Sequence, residues 1–317
     1  MDHLSSFSLQ WIRLTLITIS LISIILTISL FNQTSQKNET FLLFTGTEAE
    51  IKNSLNSSNE NISEIEAEFG KIMLMIKDKI TIPRFKCAKL RLMGGIWSCG
   101  CTEQCISDGY KYVCFDKEFM PHKCNVMSFG IGDDLTFDKA MTLYGCKVIA
   151  FDHTDHENSN RKHKSSLHTV TLGIGDKDQY SVFNVSFGKN HENFVINTEL
   201  LTYSSMLNIF HINPNDVTIL KIDIEGYEWR VLKNILNTPN LINGVKQILL
   251  EFHLNVISTK QNKTEMLKTA KDVLETLNNL DEIGFKIAHY EENQIRNPFM
   301  HFNGNNISLF SEVLYVR

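Results

Sequence analysis

From residue 124 onward, short apolar runs alternate with segments of helical periodicity. Five runs predict strands: CNVMSFG (124–130), CKVIAFD (146–152), HTVTLGIG (168–175), VTILKID (217–223) and VKQILLEFHL (245–254). Most are too continuously apolar to have a solvent-facing side, which is typical of parallel strands covered by helices. Two final runs, GFKIAHYEE and SLFSEVLYVR, indicate a closing hairpin. The pattern predicts an α/β domain over 124–317, an open, mostly parallel sheet of about seven strands with helices between them.

Two helices are predicted from spacing alone. In LTFDKAMTLYG, the apolar side chains fall on one face and Gly145 supplies a C-terminal stop. In ISEIEAEFGKIMLMIKDKI (62–80), apolar residues recur at roughly helical spacing, which predicts an amphipathic helix that packs on the domain.

The N-terminal part of the chain has the pattern of a membrane-targeted protein. Residues 14–31 are uncharged and largely apolar, and as a helix they would extend about 27 Å. This predicts a tail at 1–13 and a span at 14–31, kept as a signal anchor or cut as a signal peptide, with the anchor favoured. Residues 32–61 are polar and contain glycosylation sequons at Asn32, Asn38, Asn56 and Asn61, which predicts a flexible glycosylated stem before a lumenal body. We therefore expect a membrane protein of the secretory pathway, or a secreted one if the anchor is cleaved.

Composition excludes some classes of protein. Hydrophobic residues make up 43% of the chain and charged residues 21%, which excludes global disorder. The net charge of −5 argues against a nucleic-acid binder, which needs a basic face.

Cysteine usage fits an oxidising compartment. Six of the seven cysteines lie between Cys87 and Cys124, which predicts disulfides in a cap at 62–123, with the pairing left open. The alternative is a zinc site with Cys99, Cys101, Cys105 and Cys114 as ligands. The spacing of these four cysteines differs from the paired spacing of zinc knuckles, which favours disulfides. Cys146 stands apart and is expected to be a buried free thiol.

The predicted sheet would bind its ligand at the carboxyl ends of the strands. The first strand ends in SFGIGDD, where Gly130 and Gly132 let main-chain N–H groups approach a ligand and Asp134 is placed to cap the next helix. The second strand ends in Asp152, a carboxylate suited to accept both hydroxyls of a ribose. Leu135 stands where a dinucleotide fingerprint has its last small residue, which counts against NAD.

The string VTILKIDIEGYEWRVL (217–232) carries the densest group of candidate residues. Asp223 ends a strand, and Glu225 follows in the turn before a helix. The next predicted strand ends with Glu251 and His253, an acid and a candidate general base at the same edge. A solvated acidic rim is the alternative, but the position coincides with the expected ligand site.

These residues resemble a known family. The motifs that carry the resemblance are GGIW (94–97), SFGIGDDLTFD (128–138), KIDIEGYEW (221–229) and LLEFHL (249–254). In this order they are similar to the FkbM-type methyltransferases, in particular the methyltransferase-like protein 24 branch, over residues 84–317. The resemblance implies a Rossmann-like class I methyltransferase fold, S-adenosyl-L-methionine as methyl donor, and O-methylation.

The resemblance also implies roles for individual residues. Gly130 and Gly132 would border the methionine and ribose of the cofactor, and Asp152 would hold the ribose. Asp176 would lie near the adenine, and Asp223 would face the methionine or the acceptor, with Glu225 beside it. The sequence departs from the class I pattern at two positions: Ser128 replaces an acid, and Asp134 replaces a third glycine.

The leading hypothesis is a secretory-pathway O-methyltransferase whose acceptor is a small molecule or a glycan hydroxyl. Glu225, Glu251 or His253 would deprotonate the hydroxyl, in no firm order. A metal ion held by Asp223 and Glu225, which would lower the pKa of the hydroxyl, is the less favoured route, and no metal is assigned.

Two alternatives remain at this point. One is a Golgi glycosyltransferase, in which Asp223-Ile224-Glu225 or Asp152 to Asp155 would hold a metal. The other is a methyltransferase-fold binding protein without activity. Neither the oligomeric state nor the acceptor follows from the sequence.

Overall fold

The computed structural model describes residues 48–99, 105–132, 134–153, 167–187, 192–293 and 298–317. The chain divides into two units, Met1–Asn61 and Ile62–Arg317. Helix α1 spans Glu48–Thr81, so it begins inside the segment that the sequence predicted as a flexible stem. In residues 48–61 neither proline nor glycine occurs to interrupt a helix.

The predicted membrane span at 14–31 lies outside the described residues. Of the helices that the structure does describe, none combines the length and the apolar character needed to cross a bilayer.

The central sheet has seven strands in the order β13-β16-β12-β11-β5-β6-β7. They are β5 (Asn125–Phe129), β6 (Lys147–Asp152), β7 (Leu167–Thr171), β11 (Ile219–Ile222), β12 (Gln247–His253), β13 (Lys286–Glu292) and β16 (Phe310–Val316). Strands β12, β11, β5, β6 and β7 run parallel to one another, and β16 is antiparallel to both β12 and β13. The predicted seven-stranded α/β sheet and its closing hairpin are confirmed.

Smaller elements surround the sheet. The helices after α1 are α2 (Thr136–Tyr144), α3 (Tyr203–Ile209), α4 (Glu228–Asn237), α5 (Asn255–Ser258) and α6 (Lys263–Glu282). The remaining strands are β1 (Leu90–Met93), β2 (Ile96–Cys99), β3 (Cys105–Asp108), β4 (Lys111–Cys114), β8 (Gly173–Ile174), β9 (Gln179–Phe187), β10 (Glu192–Leu201), β14 (Phe299–Phe302) and β15 (Asn305–Ser308). The sequence predicted one strand over 168–175, but only β7 joins the central sheet, while β8 pairs with β10 of a hairpin that was not foreseen.

Strand order locates the ligand crevice. The chain runs from β5 outward through β6 and β7 on one side, and returns to β11 and β12 on the other side of β5. The carboxyl ends of β5 and β11 therefore flank the point where the strand order reverses, and open α/β sheets bind ligands at such a point.

Each face of the sheet has its own apolar core. Side chains of α1, α3, α4 and α6 pack with Leu220 and Ile222 on one face. Ile219 packs on the opposite face with Phe137 of α2 and Val113 of β4. Because successive strand residues point to opposite faces, Lys221 shares the side of Ile219 and of β4. The cysteine-rich segment thus supplies one of the layers that cover the sheet.

The structure joins Cys87 to Cys114 and Cys124 to Cys146. The expectation of a free thiol at Cys146 was therefore wrong. Cys124 and Cys146 directly precede Asn125 and Lys147, which are register partners in parallel strands, so the fold brings the two sulfurs together. Cys114, paired with Cys87, is not available as a zinc thiolate.

Candidate active site

The turn after β5 is built around two glycines with positive φ. At Gly130 (φ +75°) a Cβ would lie 1.6 Å from the main-chain oxygen of Asp223, so only glycine allows the two backbones to approach. At Gly132 (φ +49°) a Cβ would meet no protein atom within 4 Å. The two glycines therefore serve different purposes: the first permits packing, and the second keeps the space beside the turn open.

Asp152 ties this turn to the end of β6. Its Oδ2 accepts a 2.8 Å hydrogen bond from the N–H of Gly132, and its side chain is buried. The N–H of Gly130 donates to the carbonyl of Phe151 at 2.9 Å. The structure thus brings together three residues that the sequence assigned to one pocket. Asp134 accepts hydrogen bonds from the main-chain N–H and the hydroxyl of Thr136, the first residue of α2.

A cavity of about 230 Å³ opens beside this turn. Aromatic rings and main-chain groups form much of its wall, with Asp152 as a buried carboxylate and Glu225 at the other side. Its lining includes Gly130, Phe151, Asp152, Phe183, Glu225 and Tyr227. A second, more polar cavity of about 730 Å³ is lined by Glu225 and Tyr227 as well. The two cavities therefore adjoin at the turn after β11.

Asp176 lies away from the smaller cavity. Its carboxylate pairs with Arg230 at 2.8 Å, and it lines the larger cavity. The role near an adenine ring that the resemblance implied for Asp176 stays a prediction.

The turn after β11 explains why the acidic string has its particular spacing. Glu225 and Gly226 both have positive φ, and a Cβ on Gly226 would lie 2.7 Å from Cγ1 of Val256. The fully buried Glu228 accepts hydrogen bonds through Oε1 from the N–H groups of Ile224 and Gly226. Glu228 therefore stabilises the turn, while Glu225 remains largely exposed, with 72% of its side chain accessible.

His253 is buried against these two acids. Its Nδ1 lies 2.9 Å from Oε1 of Glu228, and its Nε2 lies 3.5 Å from Oε2 of Glu225. Burial alone would lower the pKa of the imidazole, but the contact with Glu228 and the charges of Glu251 and Asp223 raise it to about 9. A protonated imidazole cannot accept a second proton, so this environment disfavours His253 as the base at neutral pH.

Asp223 belongs to a group of buried charges that we name the buried ion cluster: Lys111, Asp223, Glu251 and Glu312. Nζ of Lys111 lies 2.6 Å from Glu312, 3.1 Å from Asp223 and 3.8 Å from Glu251. Only 2% of the Lys111 side chain is exposed. Sequence reasoning missed Lys111 and Glu312, because nothing local distinguishes a lysine in KYVC or a glutamate in FSEVLYV from a surface charge.

The three carboxyl groups of the cluster differ in their pKa values. Burial alone would raise the pKa of the Asp223 carboxyl, but the Lys111 and Lys221 ammonium groups bring it well below its usual range. Burial and the Asp223 charge raise the pKa of Glu251 to about 8, and burial raises that of Glu312 to about 7. Asp223 is therefore the fixed anion. Glu251 has a pKa suited to a general base, but it is buried and also accepts a hydrogen bond from Asn293.

Lys221 stabilises the glycine turn after β5 through hydrogen bonds to its main chain. Its Nζ donates hydrogen bonds to the carbonyls of Phe129 at 3.3 Å and Gly130 at 2.5 Å, and it lies 3.6 Å from Asp223. A lysine inside the apolar run ILKI was the one local signal that could have identified it, because a buried lysine needs acceptors.

Within the described residues, Asp223, Glu251 and His253 offer ligand atoms within 4.8 Å of one another. Glu225, the partner that the sequence considered for Asp223, is not part of this group. The Lys111 ammonium already contacts two of the three side chains.

A family model described as a methyltransferase domain matches residues 75–303. This chain belongs to that methyltransferase family. The match contains both glycine turns and the buried ion cluster except Glu312, and it favours the methyltransferase over the glycosyltransferase hypothesis.

Two curated proteins are similar to this methyltransferase. A human protein named probable methyltransferase-like protein 24 is 30% identical over 150 residues, which cover 45% of this chain and 38% of the human protein. The rat protein of the same name is 29% identical over the same shares. The alignment thus spans well under half the length of these relatives. No solved structure matches the chain.

Proposed function

We propose that this methyltransferase uses S-adenosyl-L-methionine to methylate a hydroxyl group of a small molecule or a glycan. The observation that carries the proposal is the junction of the Gly130–Gly132 turn with the Asp152 carboxylate, at the carboxyl ends of β5 and β6. The adjoining cavity supplies aromatic and main-chain surfaces for a nucleoside.

The residues around the smaller cavity fit the cofactor. Asp152 would accept hydrogen bonds from the ribose hydroxyls, since a carboxylate accepts several. The open side of Gly132 would face the ligand, where any side chain would intrude. Asp223, anionic and next to Gly130, would attract the positively charged amino group of the methionine part. The bound cofactor would supply an electrophilic methyl group on sulfur.

The larger cavity is the proposed acceptor site, because it meets the smaller one at Glu225 and Tyr227. Methyl transfer requires the acceptor oxygen to be aligned and water to be excluded. Glu225 is the candidate base that an acceptor in this cavity can reach, since its side chain lines both cavities. Glu251 and His253 are buried, so an acceptor would not reach them. Their charges would instead influence the pKa of Glu225.

We further propose that the protein works in the secretory pathway, anchored by residues 14–31 or secreted after their removal. The two cysteine pairs support an oxidising compartment. Non-reducing electrophoresis, glycosidase treatment and N-terminal sequencing of protein recovered from cells test the pairing, the sequons and the anchor. A cytosolic protein with reduced cysteines and no glycan would contradict this location.

Calorimetry with S-adenosyl-L-methionine tests the cofactor assignment. We expect saturable binding by the wild type and at least about a tenfold loss in Asp152→Asn, equivalent to about 1.4 kcal/mol. Asp178→Asn is the matched control, because Asp178 also accepts a main-chain N–H, from Thr202, but lines neither described cavity. If the folded wild type does not bind S-adenosyl-L-methionine, the proposed reaction is rejected, and the hypothesis that remains is a methyltransferase-fold binding protein without activity.

A screen with radiolabelled methyl donor tests the reaction. Glycans and small hydroxylated compounds serve as acceptors, and Glu225→Gln is compared with the wild type. We expect label transfer to fall by about 10²-fold or more in Glu225→Gln while cofactor affinity stays the same. An unchanged rate would remove Glu225 as the base.

A further inference from the structure

The buried ion cluster contains a lysine that has no role in the proposed reaction. Lys111 lies within the family match but comes from the cysteine-rich segment, before the methyltransferase domain that the sequence predicted at 124–317. Yet its ammonium lies closer to Asp223 and Glu312 than any other described lysine or arginine does. A buried lysine is costly unless it is paired, so this placement calls for a physical reason.

Strand β4 is held on the sheet along its length. At one end the Gln247 side chain accepts a hydrogen bond from the N–H of Cys114 and donates one to its carbonyl, at 2.8 and 2.9 Å. Tyr112 packs against His289, and the hydroxyl of Tyr110 contacts Glu291 at 3.3 Å. The bond between Cys114 and Cys87 fastens the same strand to the preceding segment. Because these contacts fix the backbone of β4, they also fix where the Lys111 side chain begins.

The Lys111 ammonium lies next to carboxylate oxygens that could otherwise bind a metal ion. Carboxylate oxygens bind divalent cations at about 2.0–2.6 Å. Nζ of Lys111 already lies 3.1 Å from Oδ2 of Asp223 and 3.8 Å from Oε2 of Glu251. A metal ion bound by the same oxygens would meet the ammonium at contact distance and be repelled by it. The two cations therefore exclude each other.

We propose that the Lys111 ammonium is the built-in cation of the buried ion cluster, a positioning residue that orients the Asp223 carboxylate and takes the place of a divalent metal ion. The main-chain oxygen of Asp223 lies against Gly130, which lines the smaller cavity, so the orientation of Asp223 would affect this side of the cofactor site. The part of this inference that concerns methyl transfer rests on the proposed function, whereas the exclusion of metal does not.

Titration with Mn²⁺ by calorimetry at pH 7.5 tests the exclusion. We expect no saturable binding by the wild type. Lys111→Ala removes the ammonium and leaves room for an ion. We therefore expect this variant to gain a saturable Mn²⁺ site, with an affinity at least about tenfold higher than any Mn²⁺ binding by the wild type. The double variant Lys111→Ala with Asp223→Asn should lose that site. Saturable Mn²⁺ binding by the wild type that Asp223→Asn abolishes would overturn the inference, as would a folded Lys111→Ala that binds Mn²⁺ no better than the wild type.

A second variant keeps the test decisive if Lys111→Ala does not fold. Lys111→Gln is neutral and shorter than lysine, and its amide oxygen can itself bind a cation. The same gain of an Asp223-dependent Mn²⁺ site is expected, and its absence in folded Lys111→Gln would overturn the inference.

Cofactor binding separates a positioning role from a merely structural one. We expect Lys111→Ala to bind S-adenosyl-L-methionine more weakly, and Mn²⁺ to restore the affinity in this variant but not in the Asp223→Asn double variant. Failure of Mn²⁺ to restore binding would overturn the positioning role. If the wild type binds no S-adenosyl-L-methionine, the proposed function fails, while the Mn²⁺ comparison still decides whether Lys111 excludes metal.

Discussion

The glycine turn and the buried ion cluster lie side by side at the carboxyl edge of the sheet, but they are built in opposite ways. The turn consists of main-chain groups and one carboxylate, and its hydrogen bond joins residues 20 positions apart. The cluster takes residues from strands β4, β12 and β16 and from the turn that directly follows β11, and its closest contact joins residues 201 positions apart. The turn has open space beside it, whereas the cluster is buried. Changes at the turn should therefore affect ligand binding most, and changes at the cluster should have their largest effect on stability.

The strongest test of this contrast is Lys111→Met, which keeps much of the side chain's length and removes its charge. Three buried acids would lose their common partner, so we expect the free energy of unfolding to fall by about 3–5 kcal/mol. Urea unfolding measures it. Lys89→Met is the control, because Lys89 is an exposed lysine of the same segment, and its effect should stay within about 0.5 kcal/mol. Equal stabilities of the two variants would contradict the contrast.

The second test uses pH. The folded-state pKa of His253, about 9, lies above the ordinary value of 6.5. Its stabilising contribution is therefore complete below about pH 6.5 and is lost as the pH rises through about 9. A shift of this size corresponds to on the order of 3 kcal/mol. The free energy of unfolding should fall over this range.

The His253 contribution is isolated by comparing variants at pH 6 and pH 9.5. His253→Gln should show a smaller loss of stability over this range than the wild type does, whereas His122→Gln, at an exposed position, should keep the wild-type loss. Identical pH dependence in all three proteins would show that His253 is neutral in the folded state.

The third test addresses the turn. Gly132→Ala places a methyl group where no protein atom lies within 4 Å, so its main structural cost is the left-handed backbone, about 1–2 kcal/mol. We expect S-adenosyl-L-methionine to bind at least about tenfold more weakly, by calorimetry. Gly304→Ala is matched, since Gly304 also has positive φ and open surroundings but lies in the turn between β14 and β15 rather than in the turn after β5. If both variants bind alike, the open side of Gly132 is not the ligand side.

The smallest effect is expected at Asp176. Its pair with the largely exposed Arg230 should contribute at most about 1 kcal/mol to stability. We expect Asp176→Asn to leave the affinity for S-adenosyl-L-methionine unchanged in the calorimeter. A marked loss would instead favour the role near the adenine that the family resemblance implied, and would extend the ligand site beyond the smaller cavity.

Local patterns in the sequence determined much of the fold. The apolar runs predicted all seven strands of the central sheet in their chain order, because a buried parallel strand needs a continuous apolar stretch. Gly130, Gly132 and Asp152 were identified because strand ends in such a sheet converge on one edge. Asp223 was found for the same reason. Each of these features depends on a few neighbouring residues and on a general rule of sheet topology.

Only the tertiary structure decided which distant groups meet. Lys111, Glu251 and Glu312 lie on three separate strands and Asp223 directly follows a fourth, and no periodicity marks them as partners. The pairing of Cys124 with Cys146 likewise depends on the register of β5 and β6. The protonation of His253 depends on its contact with Glu228 and on the nearby charges of Glu251 and Asp223, which outweigh the effect of burial on its pKa. A buried charge is stable only next to its partners, and which partners lie next to it is a property of the folded chain that short-range sequence patterns do not encode.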